Sequence, residues 1–253
     1  MPFIDSRMMI TATNDKRRVP PVSGLGGSWW DYPSVTIQGA LDQEQALEAE
    51  KLMTSPKWTS VKHFVQFIHK QYQESLEHWH SCNLMKANEL IMPLEELVCL
   101  TNLSRQGRAF RKGSDGELFK VAIAFFSYAC PLTDCCMVLD EAKRLPYLRG
   151  RARSNMLTLV QSALNSVQEH YSEDRVTFRH FTGLALLYEA EAYKLSGQQE
   201  EMNETLIGAR AVLTDKYESF ARAVEQNAIR MAFPKSLAQK AGIELPDHVD
   251  IRA

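Results

Sequence analysis

Hydrophobic and polar positions follow a helical period along most of the chain. The clearest case is a segment from about residue 61, which Thr59 or Ser60 can cap. One face of this segment carries Val61, Phe64, Val65, Ile68, Tyr72, Leu76 and Trp79. The opposite face carries Lys62, Gln66, Lys70, Gln73 and Glu77. This pattern predicts a surface helix that packs along one side.

A second kind of segment is apolar nearly all round. GELFKVAIAFFSYAC, residues 116 to 130, predicts a central buried helix that ends at Pro131. Thr133 or Asp134 can then cap a following helix that contains Met137, Val138 and Leu139. In the same way, Pro93 is suited to the first turn of a short helix through Leu94, Leu97, Val98 and Leu100.

The remaining helical patterns fix the expected fold class. Amphipathic segments start near Met156 and near Glu173-Asp174, and Gly197 is a natural helix stop before two more helical segments. PSVTIQ is the one poor strand candidate. We therefore expect an all-α protein, an irregular helical bundle or short α-solenoid of about seven to nine helices. The expected parts are an extended N-terminal arm over 1–37, a single α-helical domain over 38–236 and a C-terminal tail over 237–253.

Part of this helical region is similar to a known motif. Residues 183–213 resemble a tetratricopeptide-type helical hairpin through Ala190, Tyr193, Gly197, Leu206 and Ala209. The order of segments from 116 to 236 more faintly resembles the helical adaptor domain of ALIX-type endosomal proteins. The pieces that carry this second resemblance are GELFKVAIAFFSYA, LALLYEAEAYKLSG and NAIRMAFPKSL. Both resemblances imply a non-catalytic helical scaffold that binds a partner peptide or helix.

Composition narrows the class of protein further. The 253 residues are 45% apolar and 24% charged, with a formal net charge of −2, so no global field attracts nucleic acid or an anionic membrane. The longest apolar run is shorter than a membrane span, and the N-terminus does not have the pattern of a signal peptide. Five cysteines fit a reducing compartment, which predicts a soluble, cytoplasmic protein.

The N-terminal arm contains three aromatic residues that cannot form a core of their own. Trp29, Trp30 and Tyr32 lie among glycine, serine and proline in GSWWDYPSV. Because their burial is favourable, we expect them to dock on a preformed surface. That surface belongs either to the protein itself, as an intramolecular clasp, or to a partner, as an anchor.

Two basic clusters are the candidate anion-binding sites. Arg105, Arg108, Arg111 and Lys112 fall in a predicted loop over 105–112. A second predicted loop over 143–153 contains Lys143, Arg144, Arg149, Arg151 and Arg153. Both loops flank the central apolar segment, so the clusters either converge or lie at opposite ends. If they converge, they form a surface for RNA, lipid headgroups or an acidic peptide. The alternative is a pair of solvated loops balanced by acidic neighbours.

Other reactive residue types favour structural roles. His78, His80 and Cys82 do not share one helical face, so the sequence predicts no metal site there. Cys135 and Cys136 are expected at a helix N-terminus, where a thiolate is stabilised, but packing explains buried cysteines better. Glu95-Glu96 and Glu200-Glu201 are expected on solvated helix faces. We expect no catalytic residue, cofactor or metal.

Three classes of function remain. The first is a non-catalytic helical scaffold or adaptor that binds protein partners in a larger assembly, through a helical groove and the aromatic arm. The second is an RNA- or membrane-binding structural protein, coat-like or matrix-like, that uses the basic loops. The third is an all-α enzyme without a local motif, with His69, His78, His80 or Cys135 as participants.

Overall fold

A computed structural model describes residues 58–101, 104–227 and 233–245, and within these ranges every regular element is helical. The all-α prediction is therefore confirmed for this part of the chain. Nine α-helices occur in these ranges, with short 3-10 turns at Pro146–Leu148 and Thr214–Lys216. They are α1 (Val61–His80), α2 (Leu84–Leu100), α3 (Arg105–Lys112), α4 (Gly116–Arg144), α5 (Arg149–Tyr171), α6 (Arg175–Leu195), α7 (Gln199–Leu213), α8 (Tyr217–Glu225) and α9 (Lys235–Ala241).

Helix α1 matches its predicted pattern. The Ser60 hydroxyl caps it by accepting a hydrogen bond from the His63 amide at 3.1 Å. All seven apolar residues predicted for its inner face are buried, and Lys62, Gln66 and Lys70 on the other face are exposed. The helical period of apolar residues therefore gives the orientation of α1 correctly.

The prediction for α2 was wrong at its start. The helix begins at Leu84, where the Asn83 side chain accepts a hydrogen bond from the Lys86 amide. Pro93 consequently lies inside the helix and not in its first turn. An internal proline removes one backbone hydrogen bond and weakens the helix locally. The buried residues around it, among them Ile91, Met92 and Leu94, hold the chain in the helical path.

Helix α4 also continues where the sequence predicted a break. Pro131 lies inside it, and neither Thr133 nor Asp134 caps a new helix. A proline leaves the carbonyl four residues earlier without its helical donor, which here is the carbonyl of Ser127. The Ser166 hydroxyl of α5 donates to this carbonyl at 3.0 Å. A neighbouring helix therefore replaces the missing bond.

The continuous helix changes the argument about membranes. By length and composition α4 could cross a bilayer, since an 18-residue window has a mean hydropathy of 1.6. The sequence argument against a span relied on the length of the longest uninterrupted apolar run, and the longer helix removes it. However, 89% of that window is buried by the protein itself. This burial is consistent with the core helix of a soluble protein.

The other helices are arranged around α4. It contacts α1, α2, α3, α5, α6 and α9, so it forms the centre of the core. Helices α4, α5, α6 and α7 pack in chain order through short connections, which makes successive helices antiparallel. Helix α9 packs on α1 and α4, and the Gln66 amide donates to the Ala241 carbonyl at 2.8 Å. Leu237, Ala238 and Ala241 of α9 are buried, although they lie in the segment predicted as a tail.

Helices α6 and α7 form the hairpin expected over residues 183–213. Gly197 has a φ of +72° in the connection, and Ala190 and Ala209 are buried. A Cβ atom at Gly183 would overlap with Leu213, so the middle of α6 touches the end of α7. The two helices are therefore antiparallel and closely packed. The resemblance to the tetratricopeptide and ALIX-type families stays a prediction.

Candidate anion-binding surface

The first basic cluster is presented by a helix and not by a loop. Residues 105–112 form α3, and the Ser104 hydroxyl caps it by accepting from the Gly107 amide at 2.9 Å. The same hydroxyl donates to the Thr101 carbonyl at 3.0 Å. The glycine suggested a loop, but a Cβ at Gly107 would overlap with that carbonyl. The glycine is needed for close packing of α3 and not for a turn.

The two faces of α3 differ sharply. Phe110 packs inward, with ring centroids 6.0 Å from Phe64 and 5.7 Å from Phe119. The four cluster residues are exposed on the outside, and α3 itself contains no acidic residue. Their spacing along the helix places them on one side of it. They are Arg105, Arg108, Arg111 and Lys112, and we call this side the α3 basic face.

The surroundings of the α3 basic face include an ionisable histidine. His170 lies near the end of α5. Burial is the largest cause that lowers its pKa. The charge of Glu169 raises this pKa, and the charge of Arg111 lowers it. Arg111 therefore lies close enough to influence this imidazole. Past α3, Glu117 of α4 forms an ion pair with Lys120 of the same helix. The negative charge of Glu117 is thus partly neutralised within α4.

The second basic cluster is also not a loop. The 3-10 turn Pro146–Leu148 leads directly into α5, whose first two turns contain Arg149, Arg151 and Arg153. Arg149 and Arg151 are exposed. Arg153 is half-buried, and its charge contributes to the lowered pKa of Glu201, after hydrogen bonds from the Glu201 backbone and Gln198. The third arginine thus faces a carboxylate of α7.

One carboxylate pairs directly with a cation of this second cluster, and further polar contacts lie around it. The Arg144 guanidinium lies 2.7 Å from the Asp140 carboxylate. The Lys143 ammonium donates to the backbone carbonyl of Glu225 at 2.9 Å. Lys194 of α6 lies 4.0 Å from the Glu225 carboxylate. Such exposed pairs contribute little stability, but they reduce the positive potential at this end.

The two basic clusters do not converge. The first precedes α4 and the second begins at its last turn, so the whole helix lies between them. The 29 residues of α4 correspond to about 43 Å at 1.5 Å per residue. This distance is several Debye lengths at physiological salt. The two clusters therefore act as separate surfaces.

The residues considered for metal binding lie at the end of α1. His78 is half-buried, whereas His80 and Cys82 are exposed. The His80 ring stacks on Trp79 with centroids 5.1 Å apart. In the described parts of the chain, no group of three His, Cys, Asp or Glu side chains is placed to hold a metal ion.

The cysteine prediction was wrong about position. Cys135 and Cys136 lie in the middle of α4 and are buried, so no helix N-terminus is available to stabilise a thiolate. Burial raises the pKa of the Cys136 thiol to about 12 and raises that of Cys135 as well. Both thiols are neutral groups of the core, which removes Cys135 as an activated nucleophile.

The carboxylate predictions divide into one that is confirmed and one that is wrong. Glu200 and Glu201 are exposed as expected. Glu95 and Glu96 are half-buried, and burial raises the pKa of Glu95 to about 7. No clear signal for this is present in the sequence, because adjacent helix positions such as Leu94 and Glu95 point about 100° apart.

Sequence reasoning missed two buried carboxyls entirely. Asp134, a predicted helix cap, is 6% exposed and its Oδ1 atom has no hydrogen bond. Glu189 of α6 is also 6% exposed, and burial raises its pKa to about 6 while Tyr193 lowers it. Both lie within apolar helical segments, where the sequence does not indicate which way a single acidic side chain points.

The other predicted participants are spread out. His69 is buried against Phe233, with ring centroids 4.7 Å apart, and burial lowers its pKa to about 4. A shallow groove between α4 and α9 is lined by Glu117, Leu118, Val121, Ser236, Leu237 and Lys240, without a histidine. Trp29, Trp30 and Tyr32 of the arm lie outside the described residues. Compared with protein-family models, curated proteins and solved structures, the chain has no significant match.

Proposed function

We propose that the chain is a non-catalytic α-helical scaffold or adaptor subunit that binds an acidic segment of a protein partner on the α3 basic face. The observation that carries this proposal is the one-sided charge of α3. Its outer side has four exposed cations, and its inner side is held in the core by Phe110. Such a surface can be offered to a partner without rearrangement of the fold.

Preorganisation supports binding through this helix. The Ser104 cap fixes the first turn, and the close contact of Gly107 with the Thr101 carbonyl fixes its distance from the end of α2. A surface that is ordered before binding loses less conformational entropy when a partner docks. Arginine guanidinium groups also suit carboxylates, because they can donate two parallel hydrogen bonds.

The spacing of the cations suggests the shape of the partner. Arg105, Arg108 and Lys112 are separated by three and four positions, so they form a row about 10 Å long. A helix with carboxylates at matching intervals presents the complementary row. In this proposal the protein belongs to a larger intracellular assembly in a reducing compartment, and Trp29, Trp30 and Tyr32 supply a further apolar contact.

RNA or an anionic membrane is the alternative partner for the same cations. Phosphate groups favour arginine as carboxylates do, and this choice is supported by the exposed face of α3. The distance between the clusters argues against it, because a nucleic-acid coat uses an extended basic track. A surface of two helical turns is better matched to one partner helix.

Three probes distinguish these partners. They are a synthetic helix with glutamates at matching spacing, a single-stranded RNA oligonucleotide and phosphatidylserine vesicles. We expect the full chain to bind the acidic helix. We expect the double substitution Arg108→Glu with Lys112→Glu to weaken this binding at least about tenfold, since two favourable charge contacts become repulsive.

The matched control reverses the same number of charges in the second cluster. Arg149→Glu with Arg151→Glu keeps the net charge of the test variant, and we expect it to bind the acidic helix like the wild type. Equal weakening by both variants would refute a local site on α3. Tighter binding to RNA or vesicles than to the acidic helix, with a steep salt dependence, would support the alternative.

A further inference from the structure

The first described residue of the chain lies beside α3. Trp58 is 5% exposed, and its ring packs on Phe64 with centroids 5.1 Å apart. The backbone carbonyl of Trp58 accepts a hydrogen bond from the side-chain amide of Gln106 at 3.0 Å. Gln106 belongs to the first turn of α3 and directly follows Arg105 of the α3 basic face. The segment that precedes Trp58 is therefore tethered next to this face.

That preceding segment contains a cluster of acidic residues. Residues 42–50, DQEQALEAE, include four carboxylates and no basic residue. We call them the acidic segment, and they lie outside the described residues. The four carboxylates equal in number the cations of the α3 basic face, which has no acidic residue on its own helix. They are Asp42, Glu44, Glu48 and Glu50.

The spacing of these carboxylates matches that of the cations. Alanine, leucine, glutamate and glutamine dominate the acidic segment, so its sequence favours a helix. On a helix, Glu44 and Glu48 lie about one turn apart on the same side. Arg108 and Lys112 of α3 have the same separation. Two carboxylates can therefore face two cations across a pair of helices.

The length of the tether selects α3 over the second basic cluster. Glu48 precedes Trp58 by ten residues, which span at most about 35 Å when fully extended. The α3 basic face extends no more than about 9 Å along the helix from Gln106. The second cluster is separated from α3 by the length of α4, about 43 Å. Glu48 therefore reaches the α3 basic face with length to spare, and the second cluster lies beyond its reach.

We propose that the acidic segment covers the α3 basic face of the same molecule and must be displaced before an acidic partner helix can bind. This inference rests on the proposed function, because it names a regulator of the same surface. A segment on a short tether acts at a local concentration of about 1 mM, so weak contacts are enough to occupy the face. A face that is covered about nine-tenths of the time binds a partner with about tenfold lower apparent affinity.

Cross-linking of the full chain tests this cover without any partner. A carbodiimide joins a lysine amine to a carboxylate only when the two groups are in contact. Lys112 is the lysine of the α3 basic face, and we expect mass spectrometry to find it joined to the acidic segment. Lys194, which is exposed near the second cluster, should not be joined to it. Absence of the Lys112 product, or its presence only in cross-linked dimers, would overturn the intramolecular cover.

Removal of charge from the acidic segment tests its effect on partner binding. Glu44→Gln with Glu48→Gln keeps the size of both side chains. We expect the full chain with these two substitutions to bind the synthetic acidic helix at least about threefold more tightly than the wild type, because the covered fraction falls.

The matched control is Glu200→Gln with Glu204→Gln. It removes two exposed carboxylates of the same spacing from α7, and it should bind the acidic helix like the wild type. Equal tightening in both double variants would reduce the effect to net charge and overturn the cover. Equal binding by the wild type and the Glu44 and Glu48 variant would overturn it as well.

Cross-linking and binding separate the failure of this inference from the failure of the proposed function. A Lys112 product in the wild type, together with no binding of the acidic helix by any variant, would support the cover and refute the proposed function. Binding of the acidic helix without a Lys112 product would refute the cover and leave the proposed function intact.

Discussion

The two ends of α4 carry basic clusters of similar composition but different construction. The α3 basic face belongs to one capped helix that contains no acidic residue. The second cluster is distributed over the end of α4, a 3-10 turn and the start of α5, and Asp140, Glu201 and Glu225 lie around it. The number of arginines therefore does not decide whether a surface attracts a partner. The α3 cations are held on one helix, whereas those of the second cluster depend on the positions of three separate elements.

The largest change in stability should come from substitution of Gly107, with Gly150 at the other end as its control. Gly107→Ala places a Cβ against the backbone carbonyl of Thr101, so α3 must move away from the core. We expect a loss of about 2 kcal/mol in the free energy of unfolding, as for other overpacked sites. Gly150→Ala is the matched control, because no atom lies within 4 Å of its Cβ.

Chemical denaturation of both variants measures this difference. Gly150→Ala should be neutral or stabilise the fold by about 0.5 kcal/mol, since alanine favours a helix. Equal stability of the two variants would mean that α3 is not held against Thr101. In that case the rigidity of the α3 basic face would lose its main support.

The cap of α3 gives the next largest effect. Ser104→Ala removes the acceptor for the Gly107 amide and the donor to the Thr101 carbonyl. We expect a loss of about 1 kcal/mol, which is typical of an N-cap. Ser104→Asp should recover part of the loss, because a carboxylate can accept from the same amide. No difference between alanine and serine in thermal unfolding would contradict the cap.

A smaller effect is expected from the ion pair at the other end. Asp140→Asn removes the partner of Arg144 at 2.7 Å. Both side chains are partly exposed, so solvent screens the pair and the loss should stay below about 1 kcal/mol. The more informative measurement is binding of the acidic helix. In Asp140→Asn, binding at the second basic cluster should strengthen, and binding on the α3 basic face should stay unchanged. Cross-linking to the acidic helix locates the contact.

The smallest effect concerns the pKa of His170. The charge of Arg111 lowers this pKa, although burial is the larger cause and Glu169 opposes it. Arg111→Gln should therefore raise the pKa of His170, as measured by NMR titration of the imidazole protons. Arg151→Gln at the far end should leave it unchanged. A shift of the same size in both variants would mean that Arg111 does not lie near His170.

The sequence predicted the helical faces well because their cause is local. The seven apolar positions of α1 repeat with the period of the helix itself, and each of them is buried. Asp174 likewise caps α6 as its position suggested, accepting from the Val176 and Thr177 amides. These features depend on neighbours within one or two turns.

The errors arise where distant residues change the outcome. Pro131 is a local helix breaker, but Ser166 from the next helix satisfies the carbonyl that it leaves open. Gly107 suggests a loop in the sequence, but in the fold it packs closely against the Thr101 carbonyl. Glu95 and Asp134 are residue types that usually lie on the surface, and here the packing of neighbouring helices encloses them. The burial of these two carboxyls therefore could not be predicted from sequence periodicity.

The bond between Ser166 and the Ser127 carbonyl has a consequence for alignment. Helices α4 and α5 pack closely, and the Ser166 hydroxyl donates to one carbonyl at one height along α4. A slip of α5 by one residue would rotate its side chains by about 100° and turn Met156 and Val160 out of the core. Pro131 leaves the Ser127 carbonyl free for Ser166, and this bond fixes the register of α5 against α4.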